Sequence, residues 1–500
     1  MASVWNMGDS SIYIAVLLAV PIVYAFLKGL YNVYFHPLST FPGPRLAAAT
    51  KIPIAVVSWN GTLSQWLRDL HQRYSTDVVR ISPDELSFIS PSAWEDLCGH
   101  RQGRPSFPRD LRVYAGVNSI LTANDADHNR MRRLLSHAFS NTALKEQEAL
   151  IRVQVEILIN GLRKQIEGPS KGKVDLSDWY HWTTFDVIGD LAFGESFHCL
   201  SDTIYHPWVA MLMSYLKFVV FLSVTLRFPP LQRLLRLFVS NKALQARADH
   251  DRMAAEKVER RMKTATTRPD FLSYILAHNN EKGRMTREEI HENVATFISA
   301  GSETTAASLN GVTWFLLQNR DCLTRLNEEI RAAFRTRDEI NVQKIGELKY
   351  LQAVVTESFR IYPSALAGQP RRAPGEGDTV SGYWVPGGTG IQINQYAAYH
   401  SHHNFSNPSA FVPERWLGDP RFDSDKKDVL QPFSVGARNC IGKNLAMAEI
   451  RLVIVRMLWE FDMELCAETG LDWAEKKAWF TWDKRPLFVK LAARNDGLSL

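Results

Sequence analysis

Residues 433–442, F-S-V-G-A-R-N-C-I-G, hold the chain's most chemically suggestive set of side chains: one cysteine, two glycines, an arginine and an aromatic at set spacing. The stretch after Cys440, residues 441–459, reads as a largely buried helix, so the sulfur falls close to a helix N-terminus. There, free N–H groups and partial positive charge favour a thiolate. Gly436 and Gly442 let the backbone turn tightly and approach a flat cofactor that a Cβ would strike. Arg438 supplies a fixed cation for a carboxylate such as a heme propionate. An axial thiolate pushes electron density onto heme iron, so this ligand suits oxygen activation. A lone cysteine near a helix start is more often a small buried hydrophobe. Five residues at fixed spacing, Phe433 included, outweigh that reading.

The remaining cysteines, Cys98, Cys199, Cys322 and Cys466, are scattered and form no C-x-x-C pair with one another or with Cys440. That pattern argues against a disulfide scaffold, a zinc ribbon, an iron–sulfur site and covalent c-type heme attachment, and it favours a reducing compartment.

Two weaker patterns carry chemistry only in combination. Ala300-Gly301-Ser302-Glu303-Thr304-Thr305 lies inside a long helical stretch, where a glycine costs about 1 kcal/mol against alanine. Small residues at 300 and 301 would let a ligand lie against the helix, with Glu303 and Thr304 as polar groups beside it. Taken alone, the same residues fit a helix-packing glycine next to an exposed acid. Glu357 and Arg360 stand at i, i+3, good for an ion pair on one helix face. Glu328 and Arg331 repeat the pattern, and a surface salt bridge is the default for both. Ile361-Tyr362-Pro363 ends the helix just after Arg360, and Arg415 in Pro413-Glu414-Arg415-Trp416 could join that pair.

The elements that must position these groups are mostly helices. Residues 143–165 and 241–264 are charged and amphipathic. Thr286-Arg287-Glu288-Glu289 has the form of a capping box and opens a helix running to about Asn319. Strand-like sequence is sparse: residues 78–82, stopped by Pro83, then 383–386 and 390–394. The expected fold class is mainly α with small β-sheets. At 500 residues, 45% apolar and 11% aromatic, the chain can build one large core. Its net charge of +5 is mild. Without a concentrated basic face, nucleic-acid binding is not expected.

The first segment differs in kind. From Ser10 to Leu27 there is no charge, and eighteen helical residues span about 27 Å, close to a bilayer's hydrocarbon thickness. A cleaved signal peptide would want a basic start, but residues 1–9 carry only Asp9. The nearest cations, Lys28, Arg45 and Lys51, follow the span. The positive-inside rule then puts the short N-terminus in the lumen and the remainder in the cytoplasm. This reads as an uncleaved single-pass membrane anchor, residues 1–35, with residues 36–500 as the globular domain. His36 to Arg45, with three prolines and a glycine, makes a stiff connector. A second apolar stretch, Phe218 to Val239, is too interrupted to span and fits an interfacial segment and a core segment equally.

Together these residues resemble the cytochrome P450 superfamily of heme-thiolate monooxygenases, over essentially everything after the anchor. The resemblance implies the P450 fold, with Cys440 as axial iron ligand of heme b and Phe433, Gly436, Arg438 and Gly442 completing its loop. It makes Glu357, Arg360 and Arg415 a structural set. Ala300 and Gly301 become part of an oxygen-binding groove, with Glu303 and Thr304 as the acid–alcohol pair that relays protons. His128 and Arg132 match a helix contacting heme propionates, although His128 stands where tryptophan is common, and Arg371 matches another propionate contact. It further implies a lipophilic small-molecule substrate, lined among others by Phe297, Ser364, Ala365, Leu366 and the Ser106–Asn118 region. Electrons are expected from NADPH through a separate cytochrome P450 reductase, near Lys443 and Arg133, with cytochrome b5 as a second donor. The location expected is the endoplasmic reticulum membrane. Residues 185–194 and the connector are similar to those of fungal microsomal members, many of which tailor terpenoids, polyketides and alkaloids. Rival functions are a heme-thiolate isomerase or dehydratase working without O2, and a membrane-tethered heme sensor; intact Glu303-Thr304 argues against both.

Overall fold

The computed structural model describes residues 7–101, 106–110, 118–208, 220–228, 241–264, 268–279 and 283–494, with backbone alone for some residues within helices, 7–15, 17 and 18 among them. Helices dominate, and three small sheets accompany them. The largest sheet joins β1 (Val78–Ser82), β2 (Glu85–Phe88), β7 (Gly390–Ile393) and β4 (Arg371–Arg372), with β2 and β7 parallel and the other pairs antiparallel. A second sheet runs β3 (Lys173–Asp175), β9 (Phe488–Ala493), β8 (Phe461–Leu465). The third is the hairpin β5 (Asp378–Val380) and β6 (Tyr383–Val385).

The central helix, Arg287–Gln318, has the expected capping box: Thr286 Oγ1 accepts from Glu289 N, and the Glu289 carboxylate accepts from Thr286 N at 3.0 Å. Arg130 clamps the same carboxylate at 2.6 Å, tying this helix end to the helix Asp125–Ser136. From Thr305 to Leu317 every residue is buried, so the element is apolar nearly all round and passes through the middle of the molecule. The helix Leu176–Phe193 is likewise buried throughout and packs along it. Gly301 and Gly311 permit close approach: a Cβ on Gly311 would lie 2.5 Å from the Tyr362 ring. The core divides into a large helical part and a smaller one under the largest sheet.

The N-terminal helix runs Met7–Tyr34 and is fastened to the body where Asn32 Nδ2 donates to Ala49 O at 3.0 Å. Among the described residues, no helix is long and apolar enough to cross a membrane. The expected transmembrane helix is therefore not established by the fold, and the side chains of residues 7–15, 17 and 18 lie outside the described set. Most of the stretch 218–239 also lies outside it. Of the part described, Phe221 meets Trp59 edge to face with ring centroids 4.8 Å apart, and Arg227 pairs with Glu85.

Candidate active site

The Cys440 loop is shaped by its backbone. Cys440 N donates to Phe433 O at 2.8 Å, closing the turn, and Gly442 caps the helix Lys443–Glu460. Ser434 and Gly436 both take left-handed conformations, φ 59 and 73. At Gly436 the reason is the neighbouring chain: a Cβ there would sit 1.7 Å from Cys98 O. Gly442 differs, since its Cβ would meet the Cys440 sulfur at an ordinary 4.0 Å. Phe433 stacks edge-on against Phe359 of the helix Lys349–Ile361, with centroids 5.5 Å apart. Protein surrounds Cys440 closely enough that burial pushes its thiol up, against the Gly442 N–H, Arg132 and Lys443, which pull it down. Cys440 nonetheless keeps exposed surface, so it presents an open face from deep within the protein.

A cluster of arginines lies beside this loop. Arg438 donates to Asp125 at 2.7 Å and to Ala123 O at 2.8 Å, while its buried Nη1 has no hydrogen-bond partner. Arg132 braces the loop itself, donating to Asn439 O at 2.6 Å and to the Asn439 side chain at 2.7 Å. Arg371 donates to Phe107 O at 3.2 Å, and its buried Nε is unpartnered. His128 is buried; desolvation, then Arg438, Arg109 and Arg132, push its pKa down to about 4, so it is neutral. Arg109 was not legible from sequence: it reaches the cluster through a β-bridge to Arg371, a contact between distant parts of the chain. The buried Nη1 of Arg438 and Nε of Arg371, each without a hydrogen-bond partner, suit an anionic ligand. With a soft thiol alongside, the donor set fits heme: Cys440 would hold the iron, and Arg438, Arg371, Arg109 and His128 the propionates.

The Ala300–Thr305 segment splits its residues between two faces. Ala300 is exposed, and Thr304 Oγ1 donates back to Ala300 O at 2.7 Å. Gly301 instead turns to the helix Leu176–Phe193, where a Cβ would lie 2.9 Å from Ile188 Cδ1. Its missing side chain makes room for Ile188, so the two helices pack closely here. Glu303 shares that face; it is buried, not exposed, with Oε2 3.7 Å from His181 Nε2 and Oε1 without a partner. Phe297, expected to line a substrate pocket, is buried in a cluster with Phe139 and Phe271. Residues 111–117 of the expected Ser106–Asn118 lining lie outside the described set.

Glu357, Arg360 and Arg415 are fully buried together. Arg360 meets Glu357 at 2.7 Å and donates to Tyr399 O, Pro408 O and Ala410 O. Glu357 also accepts from Val412 N at 2.9 Å and Trp416 Nε1 at 2.8 Å. Arg415 lies 3.6 Å from Glu357 and pairs with Asp425, a fourth member that sequence reasoning missed. This mutual pairing is what lets four charges stay buried. The network ties the helix Lys349–Ile361, which carries Phe359, to the segment 408–425.

The family model named Cytochrome P450 matches residues 54–491. The chain is 42% identical to the cytochrome P450 monooxygenase astA of Talaromyces wortmannii over 98% of its length and 99% of that protein's. It is 41% identical to lcsI of Purpureocillium lilacinum, covering 95% of this chain and 93% of the relative. It is also 41% identical to astJ of Aspergillus oryzae, covering 95% and 96%. The chain belongs to the cytochrome P450 family and is a monooxygenase of it.

Proposed function

We propose that this monooxygenase hydroxylates or epoxidises a lipophilic small molecule with O2 and NADPH-derived electrons, in fungal secondary metabolism of the terpenoid, polyketide or alkaloid kind. The observation that carries the reading is the Cys440 thiol, open-faced, near a helix N-terminus and close to Arg132, with Arg438, Arg371 and neutral His128 clustered beside its loop. Heme bound there would supply oxygen activation, aided by its thiolate ligand. The protein's own part is to hold the cofactor's carboxylates, keep the loop rigid through Arg132 and Asn439, and deliver protons through Glu303 and Thr304. An isomerase, a dehydratase or a sensor would have little use for that acid and alcohol. Reduced wild-type protein is expected to give the red-shifted carbon monoxide spectrum of a thiolate heme, and Cys440→Ser to lose it; a normal band in the variant would sink the assignment.

Residues 1–35 serve in this reading as a single-pass anchor in the endoplasmic reticulum, with residues 36–500 in the cytoplasm. Support comes from the exposed apolar side chains Val20, Ile22, Val23, Phe26 and Leu27, continued on the body by Ile52, Val56 and Trp59. Deleting residues 1–35 is expected to release part of the protein from microsomes with its carbon monoxide spectrum intact. Recovery of the full-length chain in the soluble fraction would exclude the anchor. Electrons arrive from a reductase, or cytochrome b5, at the outer side of the Cys440 loop. There a groove of about 540 Å³ is lined by Phe433, Lys443, Asn444 and Arg451.

A further inference from the structure

We propose that Arg132 is the positioning residue of the Cys440 ligand: its guanidinium grips Asn439, orients the peptide that enters Cys440, and sets how strongly the sulfur gives electrons to heme iron. The inference rests on the monooxygenase reading and deepens it. It also moves Arg132 away from the propionate contact that the family resemblance implies.

The grip is two-pronged and falls on a single residue. Arg132 Nη1 donates to Asn439 O at 2.6 Å, and Nη2 donates to Asn439 Oδ1 at 2.7 Å. Donors fixed in one plane suit two acceptors side by side, a geometry that an ammonium group cannot copy. The fork of terminal nitrogens is therefore taken. Arg438 and Arg371 differ, because Arg438 Nη1 and Arg371 Nε are buried without partners. The anionic ends of the cofactor fall to those two, and Arg132 is committed to the loop.

The choice of acceptor gives the contact its leverage. Asn439 O and Cys440 N belong to one peptide unit, which is planar. Arg132 holds the oxygen end of that plane, and Cys440 N donates to Phe433 O at 2.8 Å from the other. Pinned at both ends, the plane cannot rotate, so the backbone that aims the sulfur is fixed. Hydrogen bonds in series across one peptide also strengthen each other. Asn439 N donates to Gly436 O at 3.2 Å, which closes the turn behind it. Charge adds to geometry. Burial pushes the Cys440 thiol up, while the Gly442 N–H, Arg132 and Lys443 pull it down. A cation so placed draws electron density from a thiolate and lessens its push on the iron, which raises the reduction potential.

Heme content after gel filtration, the carbon monoxide band and the heme reduction potential, all measured on the full chain, test this. Arg132→Gln is expected to keep wild-type heme content and to lose part of the thiolate band to that of a heme without thiolate. The fraction that keeps its thiolate should move to a more negative potential. Asn439→Ala removes one of the two acceptors and should lower the thiolate share less; added to Arg132→Gln it should change nothing further. Arg132→Lys returns the charge without the fork, so it should restore the potential but not the band. Arg371→Gln should show the reverse pattern, with less heme retained and the thiolate share unchanged. Lower heme content in Arg132→Gln, with band and potential as in wild type, would make Arg132 a propionate contact and overturn the proposal. Wild-type behaviour in all three readings would overturn it too. If Arg132→Gln is not recovered folded, Asn439→Ala decides on the same readings, an unchanged thiolate share sinking the proposal. Absence of a thiolate band in wild type would instead defeat the monooxygenase reading beneath it.

Discussion

Gly436 and Gly301 show how differently two glycines of one site are used. Gly436 has a left-handed φ of 73, and its Cβ would run into a backbone carbonyl that cannot yield. Gly301 is helical, and its Cβ would meet only the end of Ile188, a side chain able to turn aside. Gly436→Ala is accordingly expected to abolish cofactor retention, read as loss of the carbon monoxide spectrum. Gly301→Ala should keep that spectrum while lowering stability by about 1–3 kcal/mol, the usual cost of overpacking. Pairing Gly301→Ala with Ile188→Val should return part of that loss in thermal unfolding. Cys440 and its partners were legible because their spacing is local. The arginine cluster was legible only in part, since Arg109 joins it through pairing across some 260 residues of chain.

At the scale of elements, the buried network around the helix Lys349–Ile361 fixes where Phe359 meets Phe433 and so supports the Cys440 loop. Removing Glu357 would leave Arg360 and Arg415 buried without their shared carboxylate. Glu357→Ala is expected to cost about 3–5 kcal/mol, enough to prevent recovery of folded, heme-loaded protein. Glu328→Ala alters the same E-x-x-R pattern one helix earlier and should shift stability by no more than about 0.5 kcal/mol. Denaturant unfolding of the two variants checks the contrast. There Glu328 is exposed, and Arg331 donates to Trp459 O at 2.7 Å. The pairing of the helix Leu176–Phe193 with the central helix is a second element-level device. It seats Ile188 on Gly301 and sets His181 before Glu303, and Tyr180 meets Thr313 at 2.8 Å.

For the whole molecule, acid should act through buried histidines before it reaches most carboxylates. Desolvation pushes His71 and His128 down from 6.5 to about 4, and His400, also near Arg360, to about 3. Between those values and 6.5 the unfolded chain binds protons that the folded protein refuses, so stability rises with pH across that window. The contribution is complete above about pH 6.5, the ordinary histidine value, and drains away as pH falls toward 4. Thermal unfolding at steps from pH 7.5 to 5 is expected to show a falling midpoint, with a shallower fall in His71→Gln. Asp425 works the same way lower down: burial raises it, but Ser406 and Arg415 outweigh that and leave it below the usual carboxylate value. Its share is lost only as pH drops below about 4.

By itself the sequence determined the tight turn at Cys440, the capped central helix from Thr286 to Asn319, the strand 78–82 and the family. These depend on contacts a few residues apart, where type and spacing suffice. Tertiary structure decided which of two identical E-x-x-R patterns is buried and that Asp425 completes the network. It decided that Gly301 packs against Ile188, and that Glu303 faces a histidine. The physical reason is common to all four. Each depends on which helix face meets which neighbour, and burial there reverses the meaning of a charge or a missing side chain that the local sequence leaves open.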